Sequence, residues 1–539
     1  MTQKLSVFVI VFCCLLFMQA GPVRAQGTPS IDSLQDQIRA LQDQSQKQIK
    51  ALQDQVDSLK AAQAKQAEEA AQARAAQAQA APAPAAVASG GAGAGKTMFA
   101  NTAVKVTLGG FIEAAGIYRD VYSGADVNSK WNLGSGGFPL PNSPNYYMDE
   151  LRGTARQSRL SLLAQGQEDY ASLAAYFEAD FLGGGSGTSG NSQESNSYNP
   201  RIRHLYATYD TASGWHLLAG QSWSLLTMDK TGIVPRQENI PLTIDAQYVP
   251  GFTWTRNPQV RLVKDFGSMV SAGLSLEAPQ AIITGGQLAS GSAANYTYKL
   301  ANPVNFAYVT GTTNNSNLPA SVSLDQYPDI LGKVALDPGF GHYEAYAMGR
   351  FFTDRTLITG TRNNNTTFGF SGGGAALVPV IVKYLDVQGS FLAGQGIGRY
   401  GSAGLFDAVV NPITGKLDPL SEVEALLGII AHPTNLLDIY GYAGIEQESK
   451  KDVLGATGGF GNPGFASSSL LTEGAPTGAF TPQASTAEQA TLGFWYSFYK
   501  GNYGLMKVGL SDAMTRLRIF NMPNETMNTF MVSLRYYPF

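Results

Sequence analysis

Two cysteines, Cys13 and Cys14, are all this chain has, and both fall in a segment that reads as an export signal. Lys4, the apolar and small run Leu5 to Met18, and Val23-Arg24-Ala25 before Gln26 have the form of a cleaved secretory signal over residues 1–25. A mature chain cut there keeps no thiol, which excludes disulfides and thiolate metal sites. Long apolar runs are missing too: past the signal nothing approaches the roughly 18 to 20 apolar residues of a membrane-crossing helix. Charge is sparse, at 14% of residues. Taking Lys4 and Arg24 from the 37 basic residues leaves 35 against 41 acidic, a net charge of −6. That balance speaks against nucleic acid as a partner. His204, His216, His342 and His432 stand far apart without ligand spacing, so neither a metal nor a cofactor is expected.

What the chain does have is glycine (60 residues) and aromatics (26 Phe, 25 Tyr, 5 Trp), set in a pattern of period two. In the last ten residues Phe530, Val532, Leu534 and Tyr536 share one face of a strand, and Ser533 and Arg535 share the other. An apolar-out, polar-in strand ending on an aromatic terminus suits the closing strand of an outer-membrane barrel; an edge strand of an exported soluble domain is the plainer alternative. The alternation recurs. Val104, Val106, Leu108, Ile112 and Ala114 oppose Lys105, Thr107, Glu113 and Arg119; Leu173, Ala175, Phe177 and Ala179 oppose Tyr176, Glu178 and Asp180. Val270, Ala272, Leu274 and Leu276 oppose Ser271, Ser275 and Glu277, and Leu492, Phe494, Tyr496 and Phe498 repeat the device. Strands of nine to eleven residues at about 3.3 Å each, tilted by roughly 40°, cover the ~25 Å apolar band of an outer membrane. Inside a bilayer every backbone donor and acceptor must be paired within the protein, so such strands close into a ring.

Before the strands lies a different pattern. Ile31, Leu34, Ile38 and Leu41, then Ile49, Leu52, Val56 and Leu59, step by threes and fours with a slip at Ser45. This predicts an α-helical coiled coil over 26–63 with one stutter, a lone amphipathic helix being the alternative. An Ala/Gln/Glu stretch, Pro82, Pro84 and the Gly/Ala run Ser89 to Gly95 make 64–95 a linker. Residues 96–539 are then an all-β transmembrane barrel. Divided among sixteen or eighteen antiparallel strands they leave about 25 to 28 residues for a strand and its connection, and barrels of that size enclose an aqueous channel. The connections fall in two classes: tight at Asp210 to Gly214, Asp337-Pro338-Gly339 and His432 to Asn435, long at Gly183 to Pro200, Thr310 to Leu318 and Gly455 to Glu488.

If the apolar faces meet lipid, the polar ones line water. The inward set is Lys105, Glu113, Arg119, Arg159, Glu178, Asp180, Arg203, Arg261, Glu277, Glu344, Arg350 and Lys507. Arginine keeps its charge at every relevant pH and offers carboxylates a planar fork, so Arg159, Arg203 and Arg261 on neighbouring strands could form an anion-attracting ladder. Paired with Glu178 and Asp180, they would instead only stiffen the wall. Leu225 to Trp254, carrying Asp229, Lys230, Arg236, Glu238 and Asp245, is too apolar for an exposed loop and too broken by proline for a strand. It reads as a loop folded into the lumen as a constriction, or else as an external loop at a subunit contact.

Two catalytic look-alikes fail on context. Gly396-Ile-Gly398-Arg-Tyr-Gly401 has no helix signal after it, and Gly369-Phe-Ser371-Gly-Gly373 reads as loop beside Asn363 to Thr367. No enzymatic activity is expected.

The chain resembles the DcaP-like trimeric porins of bacterial outer membranes, through Leu108 to Ile112, Thr154 to Leu160, Ala175 to Asp180, Arg203 to Tyr206, Leu218 to Trp223 and Arg256 to Arg261. These cover roughly residues 104–280, with the coiled coil and closing strand in addition. The resemblance implies a sixteen-stranded barrel in each of three subunits, a coiled coil in the periplasm, a third loop bent into the pore, and passive uptake of small organic anions such as dicarboxylates. It favours Arg159, Arg203 and Arg261 in the channel and 225–254 as the constriction. Two features depart from it: Ile or Val at a with Leu at d favours a dimeric coiled coil, and Pro538 puts Phe539 out of phase with the Tyr536 face. The competing function is an envelope tether, a plugged barrel whose coiled coil contacts peptidoglycan. A barrel hydrolase would need an outward Ser-His pair, which no inferred strand supplies.

Overall fold

The computed structural model describes Lys50 and residues 96–99, 103–122, 146–183, 199–284, 325–358, 361–411, 416–451, 460–461, 484–521 and 523–539. The export signal, the linker and, Lys50 apart, the coiled coil lie outside the described residues, as does Thr310 to Leu318.

The strands run in chain order round a ring. They are β1 (Lys96–Phe99), β2 (Val104–Arg119), β3 (Glu150–Thr154), β4 (Arg159–Gln167), β5 (Ala171–Asp180), β6 (Arg201–Thr211), β7 (Trp215–Trp223), β8 (Arg256–Phe266), β9 (Val270–Glu277) and β10 (Ile283–Thr284). There follow β11 (Asp329–Leu336), β12 (His342–Ile358), β13 (Thr361–Ile381), β14 (Leu385–Gln395), β15 (Ala408–Val410), β16 (Leu417–Pro419), β17 (Ser421–Thr434), β18 (Leu437–Glu448), β19 (Ala484–Gly501), β20 (Gly504–Ile519) and β21 (Glu525–Tyr537). Eighteen of them form one sheet. β1 and β3 are short additions flanking β2, so sixteen long antiparallel strands make the barrel. β10, β15 and β16 form a separate small sheet. The ring closes where β21 pairs with β2, Tyr536 opposite Ile112 and Phe530 opposite Tyr118.

The faces are those of the alternation. Phe530, Val532 and Leu534 are 47%, 41% and 43% exposed, while Ser533 and Arg535 are buried. Phe177, Leu173, Leu274, Leu276, Leu492 and Tyr496 point outward, with Glu178, Asp180, Ser275 and Glu277 inside. Phe539 lies beyond the end of β21. The last inward ring is Tyr537, 5.3 Å from Phe111.

Turns of two to five residues join the strands at one end of the barrel, and the longer connections gather at the other. Three details differ from the sequence reading. Strand β17 runs on through His432 and Pro433 to Thr434, leaving Asn435-Leu436 as the turn, because the ladder skips from Ala431 to Thr434 and asks no N–H of Pro433. Strand β19 begins at Ala484, inside the stretch read as loop up to Glu488. Asn363 to Gly373 is strand β13 and not loop: its weak strand formers are paired along their length with β12, and Gly373 leaves room for the Tyr346 ring, where a Cβ would come within 2.6 Å.

Candidate functional site in the barrel lumen

The connection between β7 and β8 folds inward and crosses the space the strands enclose. Its apolar residues Leu225, Ile233, Ile244, Val249 and Phe252 are buried, and its backbone is tied to wall after wall. Lys333 on β11 donates to Asp229 at 2.9 Å, to the Thr227 carbonyl at 2.8 Å and to Glu344 of β12 at 2.9 Å, while Glu344 accepts the Asp229 N–H at 2.8 Å. Farther along, Asn239 donates to Gln388 of β14, the Tyr442 hydroxyl of β18 accepts the Leu242 N–H, and Trp495 of β19 donates to the Leu242 carbonyl at 2.7 Å. Gln157, ahead of β4, accepts the Ala246 N–H at 2.8 Å. At the far end Gly251, with φ of +82°, lies flush on β17, where a Cβ would meet the Ala425 carbonyl at 2.0 Å. A loop held this closely by inward-facing side chains is part of the lumen wall. Burial pushes the carboxyl groups of Asp229 and Glu238 above the usual range, Asp229 against the pull of Lys333 and Glu238 with the repulsion of Asp229 added.

A basic group collects where this loop passes β4 to β8. Arg159 and Arg203 both donate through Nη2 to the Tyr248 hydroxyl, at 3.1 and 3.4 Å. Arg203 also pairs with Glu178 at 2.6 Å and with Asp180 at 3.3 Å, and Arg201 forks onto Asp180 at 2.9 and 2.7 Å. The two carboxylates stand on β5, between the arginines of β4 and β6, so those arginines are one strand farther apart than the sequence suggests. Arg256 stacks over the rings of Trp223, 4.6 Å away, and Trp254, 5.7 Å away. Among the described residues it makes no hydrogen bond or ion pair, and its Nη1 is buried. Among the described residues, four arginines (159, 201, 203, 256) therefore stand with two carboxylates (178, 180), an excess of two positive charges. Burial alone would raise the Tyr248 hydroxyl, but Arg159, Arg203 and Arg256 outweigh it and bring it down to about 8.

A second inward loop, described over 396–411 and 416–420, was not legible in the sequence. Ile397, Tyr400, Ala403, Asp407 and Leu420 are fully buried, and the loop hangs on carboxylates of the facing strands. Glu446 accepts the N–H groups of Ala403 at 3.0 Å and of Gly251 at 2.7 Å, so one side chain holds both loops. Glu422 accepts the N–H groups of Ile397 and Gly398, Glu448 that of Phe406, and Arg350 of β12 pairs with Asp407 at 2.5 Å. The Gly396 to Gly401 pattern thus serves a loop whose N–H groups bind protein carboxylates. Alternation on β17 and β18 placed these glutamates inside, which was the one signal available; the loop itself carries none. By strand order β6 and β17 lie half a ring apart, so arginines and glutamates occupy opposite walls.

The other anticipated residues fall as follows. Arg119 is buried and paired with Glu150 at 2.6 Å, and Glu113 accepts from Ser533 at 2.5 Å and lies 3.2 Å from Arg535. Arg261 is inward but does not complete a ladder with Arg159 and Arg203: it donates to Gln259 and to the Trp223 carbonyl. In the loop, Arg236 donates to the Tyr206 hydroxyl at 3.1 Å, Asp245 accepts the Gln247 N–H at 2.8 Å, Glu238 bridges back to Asp229, and Lys230 is exposed. Lys105, at the end of its strand, is exposed.

No family model matches the chain, and no curated protein matches it. Solved structures do. The chain is similar to the outer membrane channel DcaP of Acinetobacter baumannii, at 16% identity over 82% of this chain and 99% of that one, with a TM-score of 0.54. It also matches the anion-selective porin of Comamonas acidovorans at 11% identity over 80% and 99% of the two chains (TM-score 0.43) and OmpF of Salmonella typhi at 11% identity over 81% and 99% (TM-score 0.43). Identities this low speak to architecture alone. The chain has the DcaP-like fold of an outer-membrane porin.

Proposed function

We propose that this chain is an outer-membrane porin that lets small hydrophilic solutes diffuse passively, with a preference for organic anions such as dicarboxylates, and that three copies assemble with residues 26–63 as a periplasmic coiled coil. The reading that it is a channel and not an enzyme rests on the porin fold, and the anion preference on one observation: among the described residues Arg159, Arg203 and Arg256 around Tyr248, with Arg201 beside them, stand with two carboxylates, and Arg256 is stacked on two indole rings. A guanidinium stacked on aromatic faces keeps its charge and its forked donors available to a carboxylate. Purified protein in a planar bilayer should give conductance steps in threes, with a reversal potential in a salt gradient on the anion side. Current that stays at baseline ends the reading.

The inward 396–420 loop favours a second reading, a plugged barrel anchoring a coiled coil to peptidoglycan. Removing residues 27–95 separates the two, since a porin keeps its conductance and a tether loses its attachment to cell wall.

A further inference from the structure

We propose that the outer wall of β17 to β20 carries a binding site for a phosphorylated, multiply acylated lipid of the outer leaflet, the phosphate on Arg516 and Arg518 and one acyl chain in the trough beside them. The proposal rests on the membrane-spanning reading of the barrel and adds a ligand to its exterior.

The register of the four strands sets out the surface in rows. One row reads Ala425, Ile445, Glu488 and Arg516, and the next, one step toward the middle of the barrel, reads Leu427, Ala443, Ala490 and Met514. Leu427 and Met514 stand out at 54% and 53% exposure, and between them the two alanines leave a trough of about 470 Å³. Hydrocarbon fits a trough of this lining; water gains nothing there.

The arginines stand at its loop end. Their side chains are 46% and 47% exposed, on the outward face of β20. Arginine facing hydrocarbon is costly at the midplane and nearly free at the interface, so two of them, one residue apart, mark the headgroup level. Glu488 is the acid beside them. It accepts from Arg518 at 2.8 and 3.2 Å and is 3.8 Å from Arg516, which makes no hydrogen bond among the described residues. One positive charge is left over, on a side chain that is 46% exposed. Phosphate is the group that a planar pair of donors grips best, and a lipid phosphate comes with the chain that the trough would take. A second copy of this chain is the other occupant to weigh, because the row beneath holds exposed Asp512 beside Leu492. The surplus of positive charge at the headgroup level favours the anionic lipid.

The test is native mass spectrometry on the delipidated full-length protein, given in turn a bisphosphorylated, hexa-acylated glucosamine disaccharide, the same lipid stripped of phosphate, and inorganic phosphate alone. Wild type should retain the phosphorylated lipid at least about tenfold better than the stripped one. Arg516→Gln should remove the preference for phosphate, and Ala490→Trp, which fills the trough, should remove retention altogether. Both lie outside the lumen and should leave conductance unchanged. Equal retention by wild type and the two variants overturns the proposal. So does phosphate binding equally well without the chain, or a cross-link to a second copy from a photo-reactive residue placed at position 490. Failure of the porin reading would show separately, as absence of conductance in wild type.

Discussion

The Nη2 atom of Arg159 donates to the hydroxyl oxygen of Tyr248 at 3.1 Å, which fastens the inward loop to the barrel wall beside Arg203 and Arg256. The contact also makes the charge there sensitive to pH. With its hydroxyl titrating at about 8, Tyr248 is neutral below that value and becomes a phenolate among three arginines above it, so the local excess falls from two positive charges to one as pH rises. Reversal potentials at pH 6.5 and pH 9.5 should show anion preference declining, and Tyr248→Phe should make the two values equal.

Glu178 and Asp180 each neutralise part of the arginine group. Glu178→Gln should increase anion preference, and Arg203→Gln should lower it. Arg203→Gln should also destabilise the barrel by roughly 3 to 5 kcal/mol, because removing one partner of a buried pair strands the other. Urea titration of the folded fraction measures the second effect, and reversal potential the first.

Lys333 is the hub that pins Asp229, Thr227 and Glu344 together. Replacing it by methionine leaves buried Asp229 without its cation and Glu344 with His342 alone, so the loop should detach from β11 and β12. Single-channel records should show added open-state noise, and a current trace as quiet as wild type would mean that the remaining ties suffice.

Phe177 faces outward from β5. Phe177→Arg should cost about 2 to 4 kcal/mol if it lies near the membrane midplane, read as a lower urea midpoint of the heat-modifiable form. Unchanged stability would mean that this part of the wall meets protein or water instead.

The barrel was legible in the chain because period two is a local property: residues two apart share a face whatever the rest of the molecule does. Phe530, Val532 and Leu534 and the inward Glu178 and Asp180 could be read this way, and the infolded 225–254 loop from its apolar, proline-broken composition. Strand β13 could not, since Asn363 to Asn365 and Gly372 to Gly374 have little strand propensity of their own, and only pairing with β12 along the whole length holds them extended.

By itself, then, the order of residues determined two faces and a sign for each inward charge, and left the number of strands at sixteen or eighteen. Which charges meet was left to the tertiary structure. Glu178 could have neutralised either flanking strand; the bulge in β6 at Ile202 and Arg203 turned it to Arg203. Nothing in Gly396 to Leu420 foretold a place inside the barrel. Its N–H groups needed acceptors, and the acceptors, Glu422, Glu446 and Glu448, come from strands that only the closed ring brings around it.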